Sequence, residues 1–188
     1  IGESAWNTGR PKGMCGSAVI DVIAELLRIG LLDSAGRLQE GHPLGDAVRR
    51  TSAGLEYVVA RTETTHGQAD ICLTQKDIRQ VQLAKAALFV AATSLLERSG
   101  LGAPDQLILA GAFGSVIDKR NAVAIGMLPE MPEDDILVVG NAAGEGARIA
   151  LLNEDKRREA LEVAGRIARH ELPADPEFQR RFIQALAA

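Results

Sequence analysis

Apolar positions follow two rhythms along this chain, helical spacing and short continuous runs. Val19, Ile20, Ile23, Leu26 and Leu27 fall three and four apart, which lines one face of a helix over 18–29. Gly30 is its stop, because glycine readily takes the left-handed conformation that ends helices, and Ser17 stands at the N-cap position. Leu31–Gly54 is polar and rich in turn residues and reads as a surface excursion. Leu55–Ala60 and Asp70–Thr74 pair as a hairpin around the polar stretch Arg61–Ala69. Thr74, with Asp77 three residues later, opens the longest helix in the manner of a capping box. Its apolar stripe is Ile78, Val81, Leu88, Leu95 and Leu96, with Ala84, Ala91 and Ala92 allowing close approach and Gly100 closing it. Gln75, Arg79, Gln82 and Lys85 form its polar face.

The second half changes rhythm. Leu107–Ala110 reads as a short buried strand running into a turn with Gly111 and Gly114, and Ile136–Val139 as another running into Gly140-Asn-Ala-Ala-Gly-Glu-Gly146. Asp118–Ile125 between them is a short helix closed by Gly126 and Pro129. A helix through Ala147–Leu152 and an amphipathic one over Glu154–His170 follow; Pro173 and Pro176 break the chain before a final helix, Glu177–Leu186. Residues 1–13, with Asn7, Gly9, Pro11 and Gly13, form an irregular leading loop. The order of helix, hairpin, long helix, βαβα and terminal helices is that of an α/β domain. Two strand-to-glycine turns read as a ligand crevice at the carboxyl edge of a parallel sheet, where glycine lets backbone approach a ligand, and Gly140, Gly144 and Gly146 read equally as room for a helix lying tightly on the sheet.

Composition narrows the class. The 188 residues fit one domain, 46% hydrophobic and 24% charged. Aromatics are only 3%, so the core must be aliphatic. A net charge of −4 argues against a nucleic-acid partner, which needs clustered Lys and Arg. Cys15 and Cys72 are too few for an iron–sulfur or structural zinc site and give no disulfide framework. No apolar run reaches the roughly 18 residues of a membrane span, and no signal peptide opens the chain, so a cytoplasmic location is expected. A first residue other than methionine points to a segment of a larger protein.

The glycine turns are neither a Walker A loop, which needs Gly-Lys-Ser/Thr, nor a Gly-x-Gly-x-x-Gly dinucleotide turn. Gly13-Met-Cys-Gly-Ser17 leads into a helix start that reads either as an anion site or as close helix packing. Lys85 either reaches a nucleotide or is a solvated lysine, and His66 is either an acid/base group or a solvated loop residue. His42, His66 and His170 are scattered without a Ser or Cys partner, so no catalytic set emerges. Composition and spacing stop at an α/β domain with a ligand crevice.

Several stretches go further. Gly13-Met-Cys-Gly-Ser-Ala-Val-Ile-Asp21, Leu73–Ala87 (Leu-Thr-Gln-Lys-Asp-Ile-Arg-Gln-Val-Gln-Leu-Ala-Lys-Ala-Ala), Leu109-Ala-Gly-Ala-Phe-Gly-Ser115, Ile125-Gly-Met-Leu-Pro129, Val139-Gly-Asn-Ala-Ala-Gly-Glu-Gly-Ala147 and Glu171-Leu-Pro…Phe178…Phe182 occur in this order. Together they resemble the C-terminal part of the reductive activators of corrinoid proteins, ATPases of the acetate-and-sugar-kinase, heat-shock-protein and actin superfamily.

The resemblance implies a ribonuclease-H-like second lobe, a mixed sheet with packed helices. It also implies a protein in which an upstream [2Fe–2S] domain passes an electron to a corrinoid protein while ATP hydrolysis drives Co(II) to Co(I). Gly111, Ala112, Phe113, Gly114 and Ser115 then match the adenosine motif, although the family often has Asn at Ser115. Gly16 and Ser17 rank second as nucleotide contacts, Gln75 and Lys85 third. The Asp-Gly-Thr phosphate loops of the superfamily do not occur in this chain, so Mg²⁺ and phosphate ligands are expected upstream. By resemblance residues 1–188 are the adenosine half of an ATP site, with no catalytic or metal-binding residue of their own. A homodimer is compatible with this. The alternatives are a related activator, such as that of a 2-hydroxyacyl-CoA dehydratase, or a lobe that only docks a partner.

Overall fold

A computed structural model describes residues 9–66, 69–171 and 176–186; Asn7 of the leading loop and Pro173 lie outside them. Helix α1, Gly16–Arg28, buries Ile20, Ile23 and Leu26 on the face that the spacing predicts. Full burial of a leucine such as Leu26 is worth about 1.5–3 kcal/mol. Its end follows the glycine logic: Gly30 sits at φ +76°, and the Leu32 amide donates back to the Leu26 carbonyl at 3.0 Å.

The segment after α1 differs from the expected excursion. Asp33 to Gly36 make a tight turn, Leu32 bridges Leu38, and Leu31, Leu32 and Leu38 are all buried in the core. Three leucines among polar residues carry no period, so only the turn that folds them inward reveals their role.

The expected hairpin is present, with a third strand beside it. Strands β1 (Val48–Thr51), β2 (Gly54–Ala60) and β3 (Ile71–Thr74) form an antiparallel meander, with Val48 opposite Tyr57 and Tyr57 opposite Leu73. Strand β1 has no apolar alternation because cross-strand charge holds it. Arg49 pairs with Glu56 and Asp70, both at 2.7 Å. Asp70 also accepts from the Thr62 hydroxyl and amide, and these donors, then Arg49, hold its carboxyl down at about 2. A depressed folded value contributes stability above the ordinary carboxylate value of 3.8 that is lost as pH falls toward 2. Thermal melts at pH 5 and pH 2.5 are therefore expected to differ less in Asp70→Asn than in the parent.

Helix α2, Gln75–Ser99, has the predicted ends: Thr74 and Asp77 form a reciprocal capping box, and Gly100 closes it at φ +69°. Its buried line keeps the start of the predicted stripe, Ile78 with Val81 packed on the core, and departs from it further on. Ile78, Gln82, Lys85, Ala86 and Val90 face inward, while Leu88 and Leu95 are about half exposed. The Asp33–Leu38 turn folds over one side of the helix and helix α6, Pro176–Ala185, packs along it, so tertiary neighbours select the buried face. In α6 the rings of Phe178 and Phe182 stack with centroids 6.3 Å apart, and Arg181 reaches Glu97 of α2 at 2.6 Å.

Strand β4 (Leu107–Ala110), helix α3 (Lys119–Ala124) and strand β5 (Ile136–Gly140) form the expected βαβ unit with β4 and β5 parallel. The Asp118 carboxylate caps α3 by accepting from the Asn121 amide at 3.0 Å, and the Asn121 side chain donates to Asp21 of α1 at 2.7 Å. Helix α4 (Ala142–Leu152) and helix α5 (Glu154–Arg166) follow as a hairpin in which Asn153 ends the first and caps the second. Helix α5 stops at Arg166, short of the predicted His170, as Ile167 turns extended.

Candidate functional site: the paired glycine turns

The parallel ribbon brings its two glycine turns together. At Gly111 φ is +102° and at Gly140 +63°, a region that L side chains rarely enter, and the Gly111 amide donates to the Gly140 carbonyl at 2.6 Å. A Cβ built on either glycine meets nothing within 4 Å, so space lies open over both backbones. After Gly111 the chain closes on itself. The Ser115 amide returns to the Gly111 carbonyl at 3.3 Å, and the Ser115 hydroxyl donates to the Ala112 carbonyl at 2.7 Å. Gly114 is fitted closely, since a Cβ there would come within 3.3 Å of Leu109 Cβ.

The Phe113 ring leaves this turn and lies against the start of α1. A Cβ on Gly16 would stand 2.8 Å from Phe113 Cε2, so Gly16 makes room for a ring that is still 50% exposed. The first- and second-ranked nucleotide residues thus form one cluster from the turn after β4 and the start of α1. Ser17 differs from its predicted role: it is not the N-cap but a buried residue in the first turn of α1, and Cys15 occupies the cap.

Cys15 was not singled out as chemistry by its sequence, although it stands between glycines at a helix start. Its thiol is exposed, with Sγ 3.2 Å from the Ser17 hydroxyl. That hydroxyl, then the Ala18 amide, lowers its pKa from the ordinary value by stabilising the thiolate. Cys72 on β3 is shifted the other way, first by burial and then by Glu56. Iodoacetamide at pH 7.5 is accordingly expected to label Cys15 at least about threefold faster than Cys72. Ser17→Ala should narrow that gap in peptide-resolved mass spectrometry.

Gln75 and Lys85 pack elsewhere, against the Asp33–Leu38 turn. Gln75 accepts from the Leu38 amide at 3.1 Å and donates to the Gly36 carbonyl at 2.5 Å. Lys85 is 3% exposed, not solvated, and borders a cavity of about 20 Å³ with Ile23, Leu27, Ile78, Val81 and Gln82. That is the room of about one water. Asp33 also lines the cavity, but its carboxylate oxygens accept from the Arg37 amide and the Gln39 side chain. Burial lowers the Lys85 pKa, and no ion pair joins it to a described carboxylate. His66, by contrast, is exposed, and its backbone amide donates to the Pro11 carbonyl at 3.1 Å.

The chain is an α/β domain with a parallel βαβ ribbon, its glycine turns tied at the carboxyl ends, and a small antiparallel sheet after the first helix. The family model described as the C-terminal domain of RACo, the ASKHA domain, matches residues 2–188, and the chain belongs to that family. It is 37% identical over 193 residues to the corrinoid activation enzyme RamQ of Eubacterium limosum, covering 97% of this chain and 31% of that protein. The solved structure of a reductive activator for corrinoid, iron–sulfur protein superposes with a TM-score of 0.86 at 33% identity, covering 95% of this chain and 28% of the other. The chain therefore spans about a third of the length of these relatives. Among the described residues no helix is long and apolar enough to cross a membrane.

Proposed function

We propose that residues 1–188 form the adenosine-side lobe of an ATP-dependent activator that returns the Co(II) corrinoid of a methyltransferase corrinoid protein to Co(I). The observation that carries this reading is the pair of glycine turns, joined by the Gly111–Gly140 hydrogen bond and open above both backbones, in a chain of the corrinoid-activator family. Open backbone at Gly111 and Gly140 and the half-exposed Phe113 ring of the same turn support this reading, since glycine lets a ligand approach the backbone and an aromatic ring offers apolar surface. Gly111–Ser115 are the first contacts of this reading and Gly16 and Ser17, at the start of α1 beside Phe113, the second; Gln75 and Lys85, which pack against the Asp33–Leu38 turn, are third.

Magnesium finds no acid in the turn, whose side chains are those of Ala112, Phe113 and Ser115. Phosphoryl transfer is chiefly the positioning of Mg²⁺ and the γ-phosphate, so hydrolysis needs groups from another part of the activator. One electron reaches the corrinoid from a [2Fe–2S] cluster held outside residues 1–188, and the activator works in the cytoplasm.

The test uses the whole activator with a corrinoid protein and a low-potential reductant. ATP-dependent loss of the Co(II) absorbance supports the reading, and reduction at equal rates without ATP overturns it. Residues 1–188 alone are expected to release no phosphate from ATP above the buffer rate.

A further inference from the structure

Most arginines of this chain are paired. Arg28, Arg49, Arg50, Arg148 and Arg180 each lie within ion-pair distance of a carboxylate. Arg37 and Arg79 differ: both are exposed, and neither meets a carboxylate among the described residues. They line one open groove of about 660 Å³ between the Asp33–Leu38 turn and α2, together with Gln39, Gln75, Gln82 and Leu55.

The fold fixes the backbone that carries Arg37. Its amide donates to the Asp33 carboxylate at 2.8 Å, and its carbonyl accepts from the Asp33 amide at 3.0 Å. On either side of it, Gln75 accepts from the Leu38 amide and donates to the Gly36 carbonyl. Arg79 stands one turn of α2 beyond Gln75, and its guanidinium makes one long contact, 3.5 Å to Gln82 Oε1. Two guanidinium groups without a counter-ion in one groove attract an anion, because carboxylate and phosphate match the guanidinium fork.

The remaining hydrogen-bond donors decide which anion. Phosphate sites are built mainly from open backbone N–H groups. Here the amides of Gly36, Arg37, Leu38 and Gln39 already donate to Asp33, Gln75 and Leu31. Only side chains are left to bind, along a surface groove open to solvent, which suits carboxylates displayed by another protein. Arginine is enriched where proteins meet, and opposite charge steers the encounter. None of the lining residues belongs to the glycine turns or to α1.

We infer that this groove is a docking surface for an acidic segment of a protein partner, whose carboxylates pair with Arg37 and Arg79. That the partner is the corrinoid protein rests on the activator reading; the groove and its chemistry do not.

Association of the whole activator with the corrinoid protein, followed by biolayer interferometry without nucleotide, tests it. The double variant Arg37→Glu/Arg79→Glu is expected to raise the dissociation constant at least about tenfold at low salt. Added salt should weaken association of the parent and leave that of the variant nearly unchanged, because screening acts on the lost attraction. In ATP-dependent reduction the variant should need at least about tenfold more corrinoid protein for its half-maximal rate, with kcat, ADP affinity and melting temperature as in the parent. If the glutamate pair melts early, Arg37→Gln/Arg79→Gln is expected to show the same loss at about threefold or more. Equal affinity of parent and variants overturns the inference, as does an association that salt does not weaken. Inorganic phosphate that binds the parent and not the variant, with partner affinity kept, also overturns it by giving the groove to a small anion. Reduction that ignores ATP, beside an association that still depends on both arginines, fails the activator reading alone. ATP-dependent reduction with half-saturation unchanged in the variant fails the docking surface alone.

Discussion

Gly111→Val is expected to weaken adenine-nucleotide binding by the whole activator at least about tenfold, a loss of about 1.4 kcal/mol. The cause is backbone conformation. At φ +102° a β-branched residue is strained whatever the space around it, by about 1–3 kcal/mol. Relief of that strain rotates the peptide that donates to the Gly140 carbonyl and shifts the surface on which adenosine is proposed to lie. Gly114→Val acts differently, because its conformation is ordinary but its Cβ would press on Leu109. Phe113→Ala is the companion that leaves the backbone untouched and removes only the ring against Gly16. Calorimetric titration with ADP, alongside a melting curve for each variant, separates loss of the site from loss of the fold. Full affinity in Gly111→Val would sink the assignment of the turn.

Lys85→Met is expected to raise stability at neutral pH. The lysine is buried without an ion pair to a described carboxylate, so its charged form is disfavoured and its folded pKa lies below the unfolded value of 10.5. Between those two values the unfolded chain holds more protons than the folded one. Stability of the parent therefore rises with pH there, and the burial penalty is fully present below the folded value. Methionine removes the charge and keeps much of the volume. At pH 7 the variant is expected to be more stable by about 1 kcal/mol, the scale of an incompletely compensated buried polar group. That advantage should shrink in melts at pH 10. If Lys85 serves the nucleotide, ADP affinity of the same variant falls by about three- to tenfold. A variant less stable at both pH values would show that Lys85 is satisfied where it lies.

The two substitutions probe features of different legibility. Gly111 could be placed from the chain alone as the glycine that ends an apolar run, and it was the family resemblance that made it a nucleotide contact. Lys85 lay on the polar face of α2 by periodicity, together with Gln75 and Gln82. Its burial depends on a turn some 50 positions earlier, and Gln82 is held by the Ala35 and Leu186 carbonyls from opposite ends of the chain. Buried polar residues carry no hydrophobic signal, so periodicity places them on the wrong side. Strand β1 escaped for the same reason, since Arg49 and Arg50 bind through charge.

What the sequence determined by itself is local. The capping box at Thr74, the stop at Gly100, the α1 face and the two parallel strands with their glycine turns depend on residues within a few positions of one another. The ordered blocks along the chain were enough to point to the family. Only the tertiary structure decided that Phe113 lies on Gly16, that Cys15 takes the cap from Ser17, and that Leu31, Leu32 and Leu38 belong to the core. Each of these is a contact between segments far apart in the chain, chosen by which surfaces can close on each other, and no local spacing encodes that choice.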